Sequence, residues 1–441
     1  MTRPSLPNFC RSFLPKDDDF RLLIAAAVIG AIGAAAALLF HYAFIAAQKI
    51  FNPNVSEIVA LATSLPWWGR LLLPTLGGAL GGVCLKFGLH WVARRGADDY
   101  LEAITIGDGV IGARQTLIKS CSSLCSIASG ASIGREGSMV QLAAMVGSAL
   151  GQKCRVSKEK LRLFVACGAT AGITVAYNAP IAASIFVTEI SGGMISKNTL
   201  GPLIVTSVIA NIMARWLFGV TPVYQMPSFP PIAGWEVFTY VGLGIVCGFG
   251  APLFRRILDM FRAGFVRLPL GLIGNMALGG LGVGLISVWE PAVWGNGYSV
   301  VNSVLHHPWT WQALLAILVL KVLATALCSG SGAVGGVFTP TIFVGAAVGA
   351  LYGHILGTFT PLPDTVIASY AMVGMGAFLA SVTYAPLMCI LMIFEMTLSY
   401  EIILPLMLAC VIGHYIAHRL RPHSIYTQRG ERKNESRIIG S

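Results

Sequence analysis

One carboxylate stands at the edge of a glycine-rich stretch and an apolar run, in Ser129-Gly130-Ala131-Ser132-Ile133-Gly134-Arg135-Glu136-Gly137-Ser138. The pattern predicts a helix start at Glu136. The first amides of a helix have no intrahelical partners, and the macrodipole is positive there. Glycine lets the backbone present those amides without obstruction. Such a start holds an anion without lysine or arginine, so the anion can also leave, as conduction requires. An acid at that point can occupy the site in place of the anion. Protonation would neutralise it and let it swing away. The plainer reading is an acid that stabilises its own helix. Arg135 is either its ion-pair partner or a structural anchor.

The layout recurs 202 residues on, as Gly332-Ala333-Val334-Gly335-Gly336-Val337-Phe338-Thr339-Pro340. The register continues through Ala144 and Ala346, Gly147 and Gly349, and Gly151 and Gly353. It sets Phe338 opposite Glu136, where the ring either walls a narrow pore or simply packs. A second block repeats with an offset of 206: Ala179-Pro180 with Ala385-Pro386, and Glu189 with Glu395. These two acids fall at equivalent helix ends and read as structural hydrogen-bonding groups. Lys119 and Lys321 share the first offset, lie in apolar runs, and either snorkel or pair.

The elements that position these residues must sit in a membrane. Charged residues make up 11% of the 441, against about 25% in soluble domains. Hydrophobic residues make up 55%, and the mean hydropathy is +0.74. A soluble multidomain protein, a disordered chain and a disulfide scaffold are excluded. An all-α polytopic membrane protein is expected. The run from Leu22 to Ala47 is too long for a signal peptide. Other runs are broken, at Asn178-Ala179-Pro180 and at Tyr384-Ala385-Pro386. Broken and re-entrant helices survive at membrane depth only where protein or a cavity surrounds them, so a channel or transporter is indicated.

Segments 151–162 and 254–267 and the tail from 418 are basic, whereas 220–234, 290–311 and 354–365 have no Lys or Arg. Basic loops lie inside, so both termini are expected in the cytoplasm. The basic loop after the first block matches a neutral loop after the second, which indicates inverted-topology repeats with a site at their interface. The expected organisation is a cytoplasmic segment 1–20, a first repeat 21–219, a second repeat 220–418 and a tail 419–441. The net charge of +11 reads as cytoplasmic loops rather than a nucleic-acid partner. The ten cysteines form no CxxC pair and read as small apolar filler. His306-His307 has no companions for a metal. Neither HExxH nor a Ser–His pair at matched depth indicates an enzyme, and no cofactor is expected.

Taken together, these residues resemble the ClC chloride channel/transporter family. Gly134-Arg135-Glu136-Gly137-Ser138 looks like its GREGP motif, with serine for proline. Gly336-Val337-Phe338-Thr339-Pro340 matches its GxFxP motif. Gly168 to Pro180 resembles its small-residue stretch ending in NAP, and Ser424-Ile425-Tyr426 its pore-tyrosine motif. The resemblance implies a ClC-type fold with two inverted-topology repeats. It implies a homodimer in lipid with one chloride pathway per subunit, in a bacterial inner membrane. Glu136 would be the gating residue, and Gly134, Val337, Phe338 and Tyr426 would bind the anion. The tail is too short for the regulatory domains of some relatives. Counting back 40 residues from Gly134 puts Arg94-Arg95-Gly96-Ala97-Asp98 where the family has GSGIP. Either Arg95 faces the cytoplasmic mouth and attracts anions, or Gly107-Asp108-Gly109 is the counterpart. Proton-coupled members carry Glu-Glu where this chain has Glu189-Ile190. These departures resemble the ClcB-type bacterial branch. A voltage-gated chloride channel is therefore expected, with a chloride/proton antiporter as alternative. A fluoride/proton antiporter is disfavoured by Tyr426.

Overall fold

The computed structural model describes residues 18–55, 57–90, 92, 96–190, 197–219, 224, 237–359 and 363–422. Among the described residues the regular structure is helical, with only two isolated β-bridges. The α-helices in chain order are α1 Asp18–Phe51, α2 Ile58–Ser64, α3 Trp67–His90, α4 Tyr100–Thr105, α5 Ala113–Ala128 and α6 Glu136–Lys153. They continue with α7 Lys158–Tyr177, α8 Pro180–Ile190, α9 Lys197–Phe218, α10 Val237–Arg267, α11 Gly271–Trp289 and α12 Tyr298–His306. The last are α13 Trp311–Ser331, α14 Phe338–Gly357, α15 Asp364–Thr383, α16 Pro386–Thr397 and α17 Ile403–Leu420. Nine helices among the described residues are long and apolar enough to cross a membrane. Helices α8 and α16 are apolar but shorter.

The repeat is kept at several helix boundaries. Helices α6 and α14 begin at Glu136 and Phe338, residues related by the first offset. Helices α7 and α15 begin and end in the second register, and so α8 and α16 both begin at the repeated proline. The change between the two offsets has a local cause. Helix α6 has 18 residues and α14 has 20, and the connection that follows is 154–157 in one repeat and 358–363 in the other. Each break is made the same way. Asn178 (φ 51) and Tyr384 (φ 61) adopt left-handed backbone at the helix C-cap. That geometry ends a helix, and the proline two residues on starts the next at the position where its missing N–H costs nothing.

The chain divides into two compact units. One is drawn from Met1–His41, Val92–Leu117 and Met139–Thr221, the other from Tyr42–Trp91, Ile118–Ser138 and Pro222–Ser441. Within the first, α6 meets α7 through backbone. A Cβ on Gly147 would fall 2.1 Å from the Phe164 carbonyl oxygen, and one on Gly168 would fall 2.3 Å from that of Ala143. Within the second, the repeat mates do likewise: Gly349 at 2.1 Å from the Tyr370 oxygen and Gly374 at 2.3 Å from the Gly345 oxygen. Small residues let membrane helices approach this closely.

Three sequence expectations change. The basic stretch 254–267 is not a loop; it is the end of the 31-residue helix α10. Its charges interrupt the apolar run but do not break the helix. Lys321 does not snorkel. It lies in the middle of α13 and is fully buried. The neutral stretch 290–311 is also more than a connector. It folds into a 3-10 turn at Pro291–Val293 and helix α12, and it buries Val293, Trp294, Val300 and Val301.

Candidate functional site

Within the second unit, the two repeated glycine stretches run antiparallel and pair at one point. Gly134 N donates to the Gly336 carbonyl at 2.7 Å, and Gly336 N donates to the Gly134 carbonyl at 2.9 Å. Gly134 and Gly336 are repeat mates. The helix starts at Glu136 and Phe338 follow two residues later in each stretch, so two first turns, whose amides lack intrahelical partners, begin beside this pair.

Glu136 is buried, 3% exposed. Its side chain folds back so that Oε2 takes the space a Gly134 side chain would need, 2.1 Å from the ideal Cβ. Gly134 is thus required both for the close backbone pairing and for seating the acid. Oε1 accepts a hydrogen bond from Asn296 Nδ2 at 2.7 Å. Oε2 has no hydrogen-bond partner among the described residues. The hydroxyls of Tyr224 and Tyr298 are buried too, that of Tyr224 without a partner among the described residues. Their rings lie 5.4 Å apart, and both lie within electrostatic range of Glu136. A buried carboxylate left half-satisfied is costly.

Arg135 takes the anchor role. Its guanidinium lies over the Phe44 ring, 4.8 Å from the centroid, and it forms no ion pair with Glu136. Ser138, at the place of the motif's proline, uses both of its donors: N to the Arg135 carbonyl at 3.1 Å and Oγ to Ser123 Oγ at 2.7 Å. Val337 and Phe338 stand at the cap and first residue of α14, half-buried.

The stretch carrying Asn296 is fixed from behind. Lys321 Nζ donates to the carbonyls of Val293 at 2.9 Å and Gly295 at 2.7 Å, and lies over the Phe343 ring. Sequence reading singled out Lys321 but missed Asn296, Tyr298 and Tyr224. The usable signal is Gly295-Asn296-Gly297 in a stretch without charge, facing a lysine that needs acceptors.

Tyr426 and Arg95 lie outside the described residues. Gly96, Ala97 and Asp98 lead into α4, whose N-cap is Asp99. Gly107-Asp108-Gly109 instead follows α4, and Asp108 pairs with Lys158 at 3.0 Å on exposed side chains. Glu189 and Glu395 sit near the ends of α8 and α16. Lys119 sits half-buried in α5. His306 Nδ1 bonds the Asn302 carbonyl at 2.8 Å, and the described residues hold no group of three metal-ligating side chains.

A helical membrane protein with inverted repeats, broken helices and a buried acid at their paired starts is of the ion-transport class. The family described as voltage gated chloride channel matches residues 77–418, and the chain belongs to that family. A putative chloride channel protein, ClcB-like, of Ralstonia nicotianae is 55% identical over 92% of this chain and 96% of its own length. The voltage-gated ClC-type chloride channel ClcB of Citrobacter koseri is 39% identical over 93% and 99%. Among solved structures, that of a slow cyanobacterial Cl-/H+ antiporter superposes with a TM-score of 0.80 at 25% identity, over 96% of this chain and 99% of that one. A CLC-type fluoride/proton antiporter superposes with a TM-score of 0.72 at 20% identity, over 92% and 96%, and so shares the fold.

Proposed function

We propose that this chain is a voltage-gated chloride channel that conducts passively, with Glu136 as its gate. The carrying observation is the half-satisfied carboxylate of Glu136, seated over Gly134 where two inverted helix starts pair. Chloride would be held by backbone amides at Gly134, Val337 and Phe338 and by the hydroxyl of Tyr426. With the acid seated, its negative charge and bulk exclude the ion. Neutralised, it no longer competes for the amides. The working unit is a homodimer with one pathway per subunit, in the bacterial inner membrane with both termini in the cytoplasm. It needs no cofactor, and nucleic acid is no partner. Kinship with ClcB-type channels supports the channel reading. The absence of a titratable side chain at Ile190 supports uncoupled movement.

The test is chloride efflux from proteoliposomes over a pH series. Wild-type flux should rise as pH falls. Glu136→Gln should give high flux at every pH, because the amide mimics the neutral acid. Unchanged flux and pH profile in Glu136→Gln would remove Glu136 from the gate. The second reading, chloride/proton exchange, is favoured by the likeness to the cyanobacterial antiporter. Fluoride/proton exchange has less support.

A further inference from the structure

We propose that Asn296 is a latch on the Glu136 gate and that Lys321 holds the latch in position. The inference rests on the gate reading above. Asn296 Nδ2 donates to Glu136 Oε1 across 160 residues of sequence, at 2.7 Å. The amide's orientation is fixed by its other end, since Oδ1 accepts from Tyr298 N at 3.4 Å. That leaves the NH2 group facing the carboxylate. The flanking residues Gly295 (φ 68) and Gly297 (φ 98) both adopt left-handed backbone. Side-chain-bearing residues rarely adopt it, so the two glycines set a tight bend with Asn296 at its tip.

The bend is clamped by Lys321, whose ammonium bonds the carbonyls of Val293 and Gly295 and lies 5.6 Å from the Phe343 ring centroid. A fully buried ammonium is expensive unless its donors are satisfied. Here its hydrogen-bond acceptors, among the described residues, are carbonyls of the segment that carries Asn296. The energy that holds the lysine in place therefore also fixes the latch. Lys321 touches no part of Glu136 and is a positioning residue.

A donor on a carboxylate favours its ionised form. The latch therefore stabilises the charged, seated gate. Among the described residues, the titratable groups coupled electrostatically to Glu136 include Arg135 from the same helix start, Tyr298 from α12, and Tyr224. Arg135 also favours the charged form, and it stays in place when the latch is removed. Without Asn296 the seated carboxylate loses its donor, and the pathway should open at higher pH.

The experiment is chloride efflux against pH for wild type, Asn296→Ala, Glu136→Gln and the double variant. Asn296→Ala should raise flux at neutral pH and move the half-maximal pH up by about one unit, the size of one hydrogen bond to a charged group. In the Glu136→Gln background the same change should add nothing. Lys321→Met, close in volume, should shift the profile in the same direction but less. An unmoved midpoint in Asn296→Ala overturns the latch. So does an equal change in flux in both backgrounds, which would mark a purely structural role. A wild-type pH profile in Glu136→Gln would instead sink the gate reading, and the latch with it.

Discussion

Single side chains here work in places where a neighbouring residue type would fail. Ser138 stands at the place of the motif's proline, and it spends two donors that proline lacks, on the Arg135 carbonyl and on buried Ser123. Ser138→Ala would leave the Ser123 hydroxyl without this partner, and a buried polar group that loses its partner costs about 1–3 kcal/mol. Thermal unfolding in detergent should show that loss. Ser138→Pro should cost at least as much, because the backbone donor goes too. Arg95 offers a different prediction. If it faces the cytoplasmic mouth, its charge raises the local anion concentration, and salt screens that effect over about 10 Å at 0.1 M. Arg95→Ser should then lower chloride flux at low ionic strength and leave it nearly unchanged at high. An equal loss at every salt concentration would count against steering.

At the scale of elements, the helix pairs α6–α7 and α14–α15 are held by backbone contact at glycine. A side chain cannot be added there without moving a helix. Gly349→Leu would drive a branched chain into the Tyr370 carbonyl, already 2.1 Å from the ideal Cβ. Overpacking of this kind costs about 1–3 kcal/mol or more. We expect a lower unfolding temperature, and reduced flux as α14 shifts the Val337 and Phe338 amides. Normal flux and stability would mean the helices part freely. These elements were legible in the sequence to the residue: the starts at Glu136 and Phe338 and the breaks at Asn178 and Tyr384. Glycine and proline mark backbone geometry locally, and the duplication supplies each signal twice. Asn296 offers only the Gly295-Asn296-Gly297 turn as a signal, because its partner lies far away in sequence and the turn itself names no ligand. Lys321 was noticed, but its partners are backbone carbonyls, and these have no residue identity to read. The basic stretch 254–267 misled for a related reason, since hydropathy reports the edge of the hydrocarbon and not the end of a helix.

At the scale of the whole molecule, coupling of anion movement to protons does not follow from the fold alone, for a Cl-/H+ antiporter superposes with a TM-score of 0.80. What decides it is whether titratable or watery stations connect Glu136 to the cytoplasm, because a bare proton does not cross apolar protein. In proton-coupled relatives the inner station resembles the second acid of a Glu-Glu pair. Here that position is Ile190, at the last residue of α8. Glu189 precedes it on the helix, so its side chain leaves about 100° away, and it cannot take over the direction that Ile190 occupies. Tyr224 and Tyr298 lie within electrostatic range of Glu136. If the gate exchanges its proton with one side only, it opens with protonation but moves no proton through. We expect a chloride gradient imposed on proteoliposomes, with the voltage clamped by an ionophore, to produce no sustained internal pH change. Ile190→Glu tests the converse, since restoring an acid there should introduce proton movement if the missing station is what uncouples the protein. Sustained proton pumping by the wild type, abolished by Glu136→Gln, would make the chain an exchanger with another inner relay.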